Sequence, residues 1–194
     1  MLSVTPKKSS LLTPDRWATI RRLVDWVDRA NGRSPHEVSM RILKITEEKG
    51  EVADAYLGMT GQNEDATYNL DDVTDELCDV MLSAAVALVT VAGDTAEDLL
   101  AVQWEDIRRD SRGFVRCFLE ITKHTGRAAS AYIGMTGQNP RKGVTHTRAE
   151  VADRLCDVFV AAAVALASVA DRDPEAILND KIAKVAGRAQ AVTA

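Results

Sequence analysis

Residues 45–63 read ITEEKGEVADAYLGMTGQN, and residues 121–139 read ITKHTGRAASAYIGMTGQN, identical at 12 of 19 positions. Downstream, LCDVMLSAAVALVTVA at 77–92 returns as LCDVFVAAAVALASVA at 155–170, identical at 11 of 16, after a shift of two residues in the intervening loop. Such agreement marks a tandem duplication. A doubled helical hairpin implies that each copy buries its apolar stripe against the other, as two subunits of a dimer would. The chain therefore reads as all-α, a fused pseudo-dimer around a four-helix core: one compact domain over 1–194, with repeat 1 at 14–94 and repeat 2 at 95–194. The alanines of the 77–92 helix and its counterpart permit the close approach such a core needs.

Helix boundaries follow from caps and breakers. Thr13-Pro14-Asp15 opens a helix whose Trp17, Ile20, Val24 and Val27 recur at helical spacing until Asn31-Gly32. Ser34, Pro35 and Glu37 open a second, running to about Leu57 before Gly58. Further helices are expected at about 71–92, 95–110 (Thr95 capping, with Asp98 three residues on), 114–133, 148–170 and 174–190. No stretch of useful length alternates as a strand would.

Composition bounds the rest. Of 194 residues, 46% are hydrophobic and 27% charged, enough apolar material for a buried core. Only three each of Trp, Tyr and Phe are present, which favours thin Ala-rich helices over a β-sandwich. A net charge of −5 argues against a nucleic-acid binder, which needs excess Lys and Arg to neutralise phosphates. Cys78, Cys117 and Cys156 sit in apolar runs without a CxxC, as buried thiols of a reducing cytoplasm do. No apolar segment follows Lys7 and Lys8, so a secretory signal is not expected, and the runs 80–92 and 158–170 read as core helices of a soluble chain, too short to span a membrane.

The two copies differ in charge. Residues 45–79 hold eleven acids against one Lys, whereas 121–157 hold three acids against six Lys and Arg. Lys123, His124 and Arg127 replace Glu47, Glu48 and Glu51, and Arg154 replaces Glu76; Asp79 alone keeps its partner, Asp157. Glu47, Glu48 and Glu51 lie within one turn of each other, as do Glu76 and Asp79 on the next helix. If those helices form an antiparallel hairpin, the carboxylates converge and need neutralising, either as a solvated acidic face or by a hard divalent cation such as Mg²⁺, which binds carboxylate oxygens together with substrate phosphates. Histidine placement excludes the Glu-x-x-His pairs of a di-iron bundle.

Glu47-Glu48-x-x-Glu51 followed by Glu76-x-x-Asp79, with MRILKITEEKGE and GMTGQNPRKGVTHT, resembles the EExxE…ExxD signature of the MazG-like all-α nucleoside triphosphate pyrophosphohydrolases. The likeness covers nearly the whole chain, twice over. It implies Mg²⁺-dependent (or Mn²⁺-dependent) hydrolysis of a small-molecule nucleotide triphosphate to monophosphate and pyrophosphate. It implies Glu48, Glu51, Glu76 and Asp79 as metal ligands, with Glu47 orienting or deprotonating the water. The chain departs from the family in having one intact acid set, while repeat 2 carries a basic loop, Arg141 and Lys142, where repeat 1 has Glu64 and Asp65. Near the end, Asn179 and Lys181 stand where repeat 1 has Ala101 and Gln103. A composite site follows as an expectation: repeat 1 supplies metal, and Arg141, Lys142, Asn179 and Lys181 bind substrate. Lys44 either contacts phosphate or pairs with Glu48; Trp17 and Trp26 either pack or stack on a base; and Arg127 or Arg154 reaching the acids would displace the metal. The alternative is a catalytically reduced, nucleotide-binding regulatory protein. Further self-association of the pseudo-dimeric monomer is left open.

Overall fold

The computed structural model describes residues 10–63, 67–102 and 106–191. The segment before Ser10, loop residues 64–66 and the Gln103 position lie outside that description. The described residues are all-helical, in the order α1 (Pro14–Asn31), α2 (Pro35–Met59), α3 (Leu70–Ala92), a 3-10 turn (Gly93–Thr95), α4 (Ala96–Leu99), α5 (Phe114–Met135), α6 (Arg148–Val169) and α7 (Pro174–Ala191).

The caps act as their residue types dictate. The Thr13 and Ser34 hydroxyls accept from the N–H groups of Arg16 and Glu37, each with proline in the first turn behind it. Asn69 and Thr147 each form a full capping box, with Asp72 and Glu150 returning the bond.

In α3, fourteen of 23 residues are buried, more than one apolar stripe supplies, because α2 flanks it on one side and α6 on another while α1 and α7 close the remainder. Ala84, Ala85 and Ala87 of α3 and Ala162, Ala163 and Ala165 of α6 are fully buried, small enough for two backbones to approach closely. Arg172, just past the end of α6, shares a cleft with Asp71 and Asp72 at the start of α3, so these two helices run antiparallel. By length and composition the helical stretch Leu70–Leu99, which contains α3, is long and apolar enough to cross a membrane, contrary to the expectation from the 80–92 run alone, but 67% of its most apolar window is buried inside the molecule, as in a core helix.

One expected helix is not there. Instead of a helix over 95–110 the described residues make the 3-10 turn and four-residue α4, and 107–110 are not helical. Thr95 does not cap: its hydroxyl turns back to the Ala92 carbonyl at 3.0 Å. Beyond it, the Val102 carbonyl accepts from the Leu11 N–H at 3.0 Å, seating Leu11, Leu12 and Leu100 in the core. Burying those three leucines outweighs the weak propensity of a helix with no cap.

Candidate metal centre

On α2, Glu48 lies one turn from Ile45 and from Val52, both fully buried, so its carboxyl is carried to the inner face and is only 6% exposed. On α3, Leu77, Cys78 and Val80 are fully buried, which leaves Glu76 and Asp79 half-buried on the flank facing α2. One oxygen from each of Glu48, Glu76 and Asp79 lies within 4.8 Å of the others. Oxygens bound to one hard cation at 2.0–2.6 Å are at most about 4–5 Å apart, so this triangle fits a single such ion with little movement. Glu76 Oε2 is buried and has no hydrogen-bond partner among the described residues, an orphaned acceptor that a cation would satisfy.

The acids pay for this crowding in protonation. Burial, the charge of Asp79 and the adjacent Glu51 carboxyl push Glu48 up to about 7 against the opposing Lys44. Burial and Asp79 likewise push Glu76 up to about 7. Asp79 is raised by burial in spite of Lys181. Glu51, one turn beyond Glu48, is exposed and stands outside the triangle. Glu47 is not brought to it: the 100° step from Glu48 turns its side chain to the outer surface, where it pairs with Lys44 at 2.8 Å.

The basic candidates fare differently from one another. Lys44 bridges Glu47 and Glu48, at 2.8 and 2.9 Å, and although partial burial opposes its charge the two carboxylates hold its pKa above the usual lysine range. Lys181, 4% exposed, reaches from α7 to Asp79 and to Asp75 at 2.7 Å, and Lys184 meets Asp75 at 3.2 Å. Asn179 instead accepts from Arg16 Nε at 2.6 Å, pinning α7 to α1. Arg141 and Lys142 occupy an exposed turn at the other end of the bundle: α5 brings Tyr132 to the Pro35 carbonyl at 3.0 Å, about 20 Å along α2 from Glu48. Of the four residues expected to bind substrate, Lys181 is thus brought to the triangle, while Asn179 is engaged by Arg16 and Arg141 and Lys142 lie away from it. Arg127 and Arg154 do not enter the triangle; Arg154 pairs with Asp157 at 3.1 Å and His124 lies 3.5 Å from the same carboxyl, so cations and one acid fill the corresponding part of α5 and α6.

A cleft of about 410 Å³ opens beside the triangle, walled by Trp26 and Val27 of α1, Met40 and Arg41 of α2, and Leu82 and Ser83 of α3, with Glu48 and Asp79 at its edge. Trp17 is core, 2% exposed, whereas Trp26 is half-buried in this wall. Arg41 is buried, its guanidinium held by Asp28 at 2.6 Å and Thr90 at 2.9 Å, but its Nε is buried without a partner. Sequence spacing gave no reason to single out Arg41 or Ser83; their only signal is a helical phase that places Arg41 and Lys44 one turn apart before Glu48.

Compared with known proteins, the chain matches no family model, and neither a curated protein nor a solved structure is similar to it.

Proposed function

We propose that this chain is a MazG-like nucleoside triphosphate pyrophosphohydrolase with one working site in a fused pseudo-dimer. The observation that carries the reading is the triangle of Glu48, Glu76 and Asp79 oxygens with an orphaned acceptor on Glu76, at the edge of a cleft of nucleoside size. Two hairpins, α2–α3 and α5–α6, joined through α3 and α6 support the pseudo-dimer, and His124, Arg127 and Arg154 in place of three acids support a single working site.

Glu48, Glu76 and Asp79 would hold Mg²⁺, or Mn²⁺. An ion held there would neutralise triphosphate charge and lower the pKa of a nearby water. Trp26 and Val27 would give the base an apolar wall. Lys44 and Lys181 exchange their carboxylate partners for phosphate oxygens as substrate enters. The water oxygen attacks the α-phosphorus, the bond to the α–β bridging oxygen breaks, and pyrophosphate leaves. Glu51, against Glu48 but outside the triangle, accepts the water's proton in place of Glu47.

The test is a panel of NTPs and dNTPs with Mg²⁺, with monophosphate and pyrophosphate assayed separately. Equal yields of the two, abolished by Glu76→Gln, are expected; orthophosphate with diphosphate would refute attack at the α-phosphorus. A second reading, a nucleotide-binding regulator without turnover, is favoured by the Lys181 ammonium already seated on Asp79. Under that reading the panel yields no product, while nucleotide still raises the melting temperature.

A further inference from the structure

Six of the large hydrophobic side chains that the described residues leave exposed share one face. They are Met40, Leu43 and Leu57 of α2 and Val115, Leu119 and Ile133 of α5, exposed by 38% to 56%. The two helices are antiparallel: Tyr56 stacks on Phe114 at one end, 4.2 Å between ring centroids, and Ser39 meets Tyr132 at the other, 3.2 Å apart. Met40, Leu43 and Ile133 thus cluster at one end of the face, and Leu57, Val115 and Leu119 at the other, with a groove of about 240 Å³ between the helices near the first cluster.

Between the apolar ends the face is charged, with opposite signs on its two helices. Glu47 and Asp54 project from α2 with Lys44 beside Glu47, and Arg116, Lys123 and Arg127 project from α5 around the half-buried Glu120, so acids outnumber bases on the first stretch and bases outnumber acids on the second. Asp54 and Arg127 have no ion-pair partner among the described residues, whereas Glu47 pairs with Lys44 on its own helix and Arg116 and Lys123 both pair with Glu120 on theirs, so association exchanges or shares those pairs. The contacts at the two ends set the register, so that Glu47 lies level with Lys123 and Asp54 level with Arg116.

We propose that this face binds a second copy of the chain about a two-fold axis parallel to the helices. That axis lays α2 of each copy on the partner's α5, apolar end on apolar end. It sets Glu47 against the partner's Lys123 and Asp54 against the partner's Arg116, and each contact occurs twice. An axis perpendicular to the helices would stack α2 on the partner's α2 and oppose like charges, so charge selects the first arrangement. Two helices about 33 Å long and together about 20 Å wide cover roughly 650 Å² per copy, close to the roughly 800 Å² per partner of a stable interface. The proposal does not depend on the activity inferred above.

Sedimentation velocity on the full chain from 1 to 100 µM tests it, with circular dichroism confirming that every variant keeps its helices. The wild type is expected to be dimeric, with dissociation promoted by salt. Leu43→Lys is expected to be monomeric throughout. Asp54→Arg is expected to weaken the dimer at least tenfold, and Asp54→Arg with Arg116→Asp to restore it, because the swapped pair re-forms across the interface. A wild type monomeric at 100 µM, including one that binds another protein or a lipid vesicle through this face, overturns the proposal. A dimer indifferent to Leu43→Lys overturns the choice of face, and failure of the charge swap to restore association overturns the arrangement.

Discussion

Glu48 and Glu76 stand out from the other acids because each is half trapped: a core-facing helix position takes the carboxyl out of water, and a neighbouring acid opposes its charge. Both ionise near pH 7 when folded and near 4.5 when not, so between those values the folded chain holds more protons and its stability falls as pH rises. Chelator-treated protein should therefore melt higher at pH 5.5 than at 7.5 in differential scanning calorimetry, with Mg²⁺ closing the gap. By the same competition, Mg²⁺ affinity from isothermal titration should weaken as pH drops below 7. The acids should also separate by role. Glu76→Gln should lose Mg²⁺ binding and turnover together, whereas Glu51→Gln should lower kcat about 100-fold with Mg²⁺ affinity little changed. Lys181 discriminates between the two functional readings. Lys181→Met should lower kcat/KM about tenfold if its ammonium passes to phosphate. A rise in kcat/KM would make it an inhibitory clamp instead.

At the level of the helices, the repeated GMTGQN segments have a physical reason. A Cβ on Gly58 would lie 2.3 Å from the Tyr68 ring, and one on Gly134 would lie 2.3 Å from the His146 ring and 2.4 Å from the Thr145 hydroxyl. Each hairpin loop thus folds back over the last turn of the helix it leaves, and in repeat 2 Thr145 N–H also bonds the Gly134 carbonyl at 2.9 Å. Gly134→Ala should cost about 1–3 kcal/mol by forced overpacking, read from urea unfolding, while Gly126→Ala on the same helix, with nothing near its Cβ, should be neutral or slightly stabilising. Six long helices were legible from periodicity joined to a proline or side-chain cap at most of their starts and, for α5, to the Ser111–Gly113 break alone. The segment 95–110 misled because a threonine followed by acids looks the same whether or not its hydroxyl caps, and only the Leu11 to Val102 pairing shows which way it turned.

Across the whole chain, stability rests on the shared α3–α6 seam. Met81 and Phe159, at matching positions of the two copies, are 0% and 1% exposed. Met81→Ala and Phe159→Ala should each cost roughly 2–5 kcal/mol, and both should leave a single urea transition, because neither hairpin has a core of its own to retain. Two separate transitions would show that the copies fold independently. The seam also bears on the proposal of one working site: α7 closes over the start of α3, bringing Lys181 to Asp79, whereas among the described residues the corresponding stretch after α3 holds only the 3-10 turn and the short α4.

Helical class followed from sequence alone, and of the five acids expected to converge on neighbouring helices Glu48, Glu76 and Asp79 do so, since both depend on spacing along one helix or between two joined by a short loop. Which cation reaches those acids did not. Lys181 is about a hundred residues away from Asp79 along the chain and beside it in space, while Arg141 and Lys142, nearer in sequence to everything the repeat suggested, end at the opposite pole because α5 is antiparallel to α2. Local propensity sees one turn of helix at a time; the direction in which whole helices cross is settled only when their apolar faces pack.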